Sequence, residues 1–243
     1  MLGYLHSFES LAAVDGMGLR CAVFLAKCPL RCVYCHNPDT WDCAGEATDA
    51  ETLVRKIARY KPYFKDDGGV TFSGGEPLLQ AAFIRNIQPL LNARKIPYAI
   101  DTSGAVNLTD DVQFVLKHAQ TVLLDLKFWD DESYRRYTRH SWQQTIHMLD
   151  YLESIGRDVW VRTVVVPGIN DSEEMLERYV QVLGRYDCIK TYELLAFHTM
   201  GFFKYRESGI ENPLEGTSAL DPEKKDALQA FVNRRLSEIR ANR

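Results

Sequence analysis

Apolar and polar positions along this chain follow two rhythms that alternate from about residue 20 to the end. Short apolar runs rich in β-branched and aromatic residues, at 20–26, 69–72, 98–100, 121–124, 158–165 and 189–195, read as buried strands. Between them, apolar residues recur three and four apart, as at Leu53, Ile57 and Tyr60, and predict helices over 52–60, 78–95, 111–118, 132–137, 142–154, 173–186 and 222–239. The stretch from His6 to Arg20 reads as a loop-rich lead-in, and 199–220, with its glycines and proline, as a long loop over one face.

Strand-then-helix order implies a parallel sheet with right-handed crossovers. Six such repeats are too few for a closed eightfold barrel and suit an open one, so the expected fold class is α/β. Every polar candidate motif is read as falling just after a strand, where barrel loops gather into one active-site mouth. With 243 residues, 46% hydrophobic and 26% charged, one domain over 1–243 suffices. Its expected parts are an N-terminal segment at 1–20, a cysteine loop at 28–36, and a C-terminal loop and helix at 199–243.

A net charge of −4 gives no general case for nucleic acid or an anionic membrane surface. No apolar run approaches 20 residues and the first residues are polar too early for a signal peptide, so a cytoplasmic protein is expected. Six cysteines in a chain of this size do not read as a disulfide framework. Cys21 and Cys188 read as small buried hydrophobes; Cys43 takes the same reading, with an extra ligand beside the cysteine loop as its alternative.

The chemistry concentrates in Cys28, Cys32 and Cys35, three thiols within eight residues spaced Cys-x3-Cys-x2-Cys. Thiolates select zinc or iron–sulfur chemistry. Three ligands leave one metal position open to substrate, while His36 could in principle complete a Cys3His zinc site. A structural zinc module is therefore one reading, although adjacent Cys35 and His36 would have to bend onto one ion.

The same spacing, with Tyr34 before the last cysteine and His36 and Asn37 after it, resembles the radical S-adenosylmethionine (SAM) superfamily, and within it the glycyl-radical-enzyme activases. Other stretches carry the resemblance over most of the chain: His6 to Ser10, Val14 to Gly16, Ser73 to Pro77, and Asp125, Leu126 and Lys127. It implies a partial (β/α)6 barrel, a [4Fe-4S] cluster on Cys28, Cys32 and Cys35, and SAM chelating the fourth iron. It also implies SAM contacts from Tyr34, Cys35, His36, Gly74, Gly75, Glu76, Asp125, Leu126, Lys127, Arg162 and His198. Asp15 would bind the glycine loop of the target protein, and Asp101, Thr102 and Asp125 form a candidate site for a monovalent cation. Two positions depart from the pattern: Met17 where activases usually have proline, and Lys27 where relatives often have glycine.

The implied activity is reductive cleavage of SAM, with an electron from flavodoxin or ferredoxin, followed by hydrogen abstraction from a glycine of a partner enzyme. Larger relatives insert a cysteine-rich domain between the cysteine loop and the Gly-Gly-Glu loop. This chain has only Cys43 there, so it is similar to the short form, with pyruvate formate-lyase as the implied partner, and is expected to be a monomer. The alternatives are another glycyl radical enzyme as partner, or a small-molecule substrate.

Overall fold

The computed structural model describes residues 1–13 and 15–243; Val14 of the Val14 to Gly16 stretch lies outside the described residues. The chain forms two compact units, Met1–Pro29 with Thr40–Leu124, and Leu30–Asp39 with Asp125–Arg243.

The first unit holds strands β1 (Leu2–Ala12), β2 (Arg20–Leu25) and β3 (Glu46–Asp49), helices α1 (Ala50–Ala58) and α2 (Lys61–Phe64), β4 (Gly69–Gly74), α3 (Ala81–Ala93), β5 (Tyr98–Thr102), α4 (Asp110–His118) and β6 (Thr121–Asp125). Strands β2, β4, β5 and β6 run parallel in register, Cys21 beside Val70, Val70 beside Tyr98 and Ile100 beside Val122. Val23, Val70, Phe72, Ala99, Ile100, Val122 and Leu123 are fully buried, as expected of parallel strands covered on both faces. Leu53 and Ile57 of α1, Ile84, Ile87 and Leu91 of α3, and Val115 and Leu116 of α4 close over them.

The loop-rich lead-in is corrected here. Residues 2–12 are β1, antiparallel to both β2 and β3. Its residues alternate between exposed and partly buried, the pattern of a strand with one solvated face. Parallel order thus begins only at β2.

The second unit holds the loop 30–39, then α5 (Asp131–Thr138), α6 (Trp142–Ser154), β7 (Val159–Val165), α7 (Glu173–Leu183), β8 (Ile189–Ala196), α8 (Phe202–Glu207) and α9 (Pro222–Ala241). Strands β7 and β8 are parallel, with Val161 beside Tyr192. The segment after β6 joins them, the Leu126 N–H donating to the Arg162 carbonyl at 2.9 Å. Leu149 and Leu152 of α6, Tyr179, Val180 and Leu183 of α7, and Phe231 and Val232 of α9 form the buried faces.

Helix starts follow the caps written in the sequence: Asp49, Thr109, Asp130, Ser141, Ser172 and Asp221 each accept a backbone N–H of the first turn. The expected helix 78–95 is divided, with a 3₁₀ turn at Pro77–Gln80 before α3. The expected long loop at 199–220 contains α8. Among the described residues no helix is long and apolar enough to cross a membrane.

Candidate active site

In the first unit, β2 ends at Leu25 and the chain turns through Lys27, whose φ of +76° lies in the left-handed region that favours glycine. The Lys27 N–H donates to the Thr40 carbonyl at 2.8 Å and the Cys28 N–H to the Trp41 carbonyl at 3.2 Å. The loop from Ser73 to Pro77 leaves β4 directly against this turn. Gly75 N–H donates to the Leu25 carbonyl at 3.0 Å, and Glu76 N–H to the Lys27 carbonyl at 2.8 Å. A Cβ on Gly75 would stand 2.1 Å from the Lys27 carbonyl oxygen and 3.1 Å from the Cys28 Cβ. On Gly74, at φ +118°, it would stand 2.3 Å from the Leu25 nitrogen. Both glycines are therefore required by the close approach of two backbones.

Glu76, expected among the SAM contacts, points its carboxylate inward. It is fully buried, and its carboxylate accepts from Leu78 N–H (3.1 Å), Thr102 Oγ1 (2.7 Å), Ser103 N–H (2.9 Å) and Ser103 Oγ (2.6 Å). Burial pushes its carboxyl upward and these donors oppose the shift. The effect is to bolt the Gly-Gly-Glu loop to the end of β5. Asp101 accepts from Ser73 Oγ at 2.7 Å, a second tie between the same strand ends. Thr102, expected at a cation, turns its hydroxyl to Glu76.

Asp15 lies elsewhere in this unit. Its carbonyl accepts from Thr71 Oγ1 at 2.6 Å, and Thr71 in turn accepts from Arg20 Nε at 2.8 Å. Arg20, fully buried, also donates to the carbonyls of Met17 (2.8 Å), Asp67 (3.1 Å) and Val70 (3.2 Å). Burial pulls its guanidinium down to about 10, against the pull of Asp15. Loop 15–18 is thus anchored to Arg20, where β2 starts, and to Thr71 in the middle of β4. Arg20 was legible only as a strand residue.

In the second unit, loop 30–39 is tied to the end of α5 by Arg31 N–H to the Thr138 carbonyl (2.8 Å) and Val33 N–H to the Tyr137 carbonyl (2.9 Å). Cys32 is buried, and desolvation pushes its thiol up to about 12. Tyr34 is 4% exposed, packs near Phe128 and has no hydrogen-bond partner for its buried hydroxyl. His36 and His198 stack with ring centroids 3.8 Å apart and planes 10° apart, with Phe197 on the His36 side. The His36 Nε2 lies 3.1 Å from the His198 carbonyl, so this nitrogen carries the proton and donates. Burial and the neighbouring His198 pull the His36 ring down to about 4. The buried Nδ1 of His198 has no protein partner.

Asp125, Lys127 and Arg162 form one cluster. Asp125 accepts from Lys127 Nζ at 2.7 Å on one oxygen, and from Arg162 Nε and Nη2 at 3.0 and 2.9 Å on the other. Burial would raise the Asp125 carboxyl, but Arg162 and Lys127 hold it below the usual carboxylate range. Burial would likewise lower the Lys127 ammonium, and Asp125 holds it well above its ordinary value. Two cations on one carboxylate leave an excess positive charge suited to a ligand carboxylate. Leu126 between them is fully buried, with its N–H on Arg162 and its carbonyl accepting from Thr163 Oγ1 at 2.9 Å. Tyr179, on α7, was not singled out by the sequence; its hydroxyl donates to the Lys127 carbonyl at 2.9 Å and accepts from Asn170 at 3.1 Å. A buried tyrosine at helical spacing is read as core, and nothing local marks this contact.

These residues fit the implied cofactors. Cys28, Cys32 and Cys35 supply the soft sulfur donors that an iron–sulfur cluster takes. The orphaned Tyr34 hydroxyl and His198 Nδ1 are polar atoms awaiting a partner. Among the described residues no three His, Cys, Asp or Glu side chains converge as a single-ion site. A cluster instead takes one thiolate per iron.

Comparison with known proteins gives the family. The Radical SAM superfamily matches residues 23–180. The chain is 41% identical over 234 residues to the pyruvate formate-lyase-activating enzyme of Clostridium pasteurianum, covering 96% of this chain and 98% of that one. It is 38% identical over 242 residues to the enzyme of the same name from Staphylococcus epidermidis, covering 95% of each. Among solved structures, Streptococcus suis SuiB bound to precursor peptide SuiA superposes with a TM-score of 0.67 at 18% identity, over 87% of this chain and 44% of that one. This last likeness speaks to the fold alone. The zinc-module reading is overturned by the family match, and His36 is in any case engaged with His198. The α/β chain described here belongs to the radical SAM superfamily, whose members work with a [4Fe-4S] cluster and SAM, and within it to the family of the pyruvate formate-lyase-activating enzymes.

Proposed function

We propose that this chain activates pyruvate formate-lyase by generating a radical on one of its glycines. The observation that carries the reading is 41% identity, sustained over 96% of the chain, to a relative named for that activity. Cys28, Cys32 and Cys35 are the three protein ligands of the cluster, consistent with their Cys-x3-Cys-x2-Cys spacing. When bound, the cluster and SAM together supply one-electron cleavage of a carbon–sulfur bond and a carbon radical able to take a hydrogen atom from glycine.

The protein's part is binding, orientation and exclusion of water. Gly74 and Gly75 present backbone at close range for the methionine amino group, while Glu76 holds that loop in place. Lys127 and Arg162, held by Asp125, offer their excess positive charge to the methionine carboxylate. The Tyr34 hydroxyl, the His36 ring and the His198 Nδ1 serve the adenosine part. Asp15 binds the partner's glycine loop from its anchored turn. A monovalent cation at Asp101, Thr102 and Asp125 would compete with Lys127 for Asp125, and activity without sodium or potassium counts against it. The electron donor is flavodoxin or ferredoxin, and the enzyme acts as a monomer in the reducing cytosol, in keeping with cysteines that form no disulfide.

The test is anaerobic. The chain, reconstituted with iron and sulfide and reduced, is expected to show a [4Fe-4S] electron paramagnetic resonance signal that changes when SAM is added. With pyruvate formate-lyase and SAM it is expected to yield a glycyl radical doublet. A cluster that responds to SAM without forming that doublet would move the reading to another glycyl radical enzyme or a small-molecule substrate.

A further inference from the structure

The cysteine loop leaves Cys35 through His36, Asn37 and Asp39, and all three are gripped by the segment that follows β8. His198 stacks on the His36 ring. Gly201 is buried on the His36 backbone, where a Cβ would stand 2.7 Å from its carbonyl oxygen and 3.0 Å from its Cα. Lys204, in α8, donates to Asn37 Oδ1 at 2.6 Å and lies 3.5 Å from an Asp39 carboxylate oxygen. The Lys204 and Asp39 side chains are 23% and 27% exposed, so their attraction is less screened than at an open surface. Tyr205, the next residue, is 1% exposed.

We infer that residues 198–205 are a strap over the exit of the cysteine loop, with Lys204 as a positioning residue that acts on cluster and SAM through Asn37, His36 and Cys35. The inference rests on the proposed cysteine ligand set. Asn37 and Lys204 are 167 positions apart, so this hydrogen bond closes a long stretch of chain onto a loop with few fixed elements of its own. Loosening it lets His36 and Cys35 move together, because they are neighbours on one backbone. Groups that orient metal ligands in this way affect affinity without touching the reacting atoms.

The test uses Lys204→Met, which keeps an apolar stem but removes charge and donors, with Lys204→Arg and Asn37→Ala beside it. Each protein is reconstituted anaerobically, and iron content, SAM dissociation constant and the spectrum of the reduced cluster with and without SAM are read. Lys204→Met is expected to hold as much iron as the parent but bind SAM roughly tenfold more weakly, with a smaller SAM-induced spectral change. Lys204→Arg should recover most of the affinity. Asn37→Ala should reproduce the loss, and the double variant should be no worse than the weaker single one. Unchanged SAM affinity and spectrum in Lys204→Met, or losses that simply add, overturn the strap. If Lys204→Met does not fold, Asn37→Ala decides on the same readings. Cys32→Ser separates the two claims. Loss of the cluster there with no effect at Lys204 or Asn37 overturns the strap alone, whereas retention of a full cluster overturns the ligand set and the strap with it.

Discussion

Lys27 sits at φ +76°, where an L-residue pays roughly 1–2 kcal/mol and glycine pays nothing. Against that stands the greater freedom glycine has when unfolded, roughly 0.5–1 kcal/mol. Lys27→Gly is therefore expected to leave stability unchanged or raise it by up to about 1 kcal/mol in urea titration; a clear loss would show that the lysine side chain does more than tolerate its turn. Gly75 is the opposite case. Gly75→Ala must push the Lys27 carbonyl away, breaking the Glu76 N–H bond to it, and is expected to lower both iron content and SAM affinity. Glu76→Gln puts an amide N–H₂ among the donors from Leu78, Thr102 and Ser103. It should cost about 1–3 kcal/mol in the same titration. Asp125→Ala leaves Lys127 and Arg162 as buried like charges, with an expected cost of roughly 3 kcal/mol and weakened SAM binding. Retained SAM affinity in that variant would remove the cluster of charges from the site.

At the scale of elements, β1 and α8 were missed for related reasons. Residues 2–12 mix glycine, serine, histidine and glutamate with apolar residues, a weak alternation fitting a strand with one wet face. α8 has only six residues, too few for its periodicity to stand out from a loop. What holds β1 is tertiary: a Cβ on Gly3 would stand 2.1 Å from the Phe83 ring of α3, and the Gln80 side-chain amide bonds both Tyr4 N–H and Tyr4 carbonyl. Gly3→Val should therefore overpack this contact and lower stability by about 1–3 kcal/mol, read as a drop in melting temperature. An unchanged melt would mean that β1 is not seated on α3.

For the molecule as a whole, most of the largest buried side chains, among them Phe72, Ile84, Tyr134 and Tyr179, belong to strands and helices, while Leu30, Phe128 and Phe197 lie in the connecting loops. Stripping the iron is thus expected to preserve far-UV circular dichroism and to lower the melting temperature only by the lost ligand linkage; wholesale unfolding would instead make the metal part of the folding energy, as in zinc fingers. Much of this could be read from the chain alone. The parallel strands and their helices were legible because buried β-branched runs and apolar residues three and four apart are local patterns. The spacing of Cys28, Cys32 and Cys35 was legible because chelation constrains neighbours in sequence. The roles of Glu76, Arg20, Tyr179 and Lys204 were not. A buried polar group has to find its partners wherever the fold brings them, across 26 positions for Glu76 and Thr102 and 167 for Lys204 and Asn37. Sequence by itself determined which segments become strands, which thiols cluster and which family the chain joins. Only the tertiary structure decided that Glu76 is a bolt rather than an open ligand, that one carboxylate holds two cations, and that a short helix near the end of the chain grips the exit of the cysteine loop, because hydrogen-bond satisfaction on burial is settled by packing and leaves no periodic trace in the order of residues.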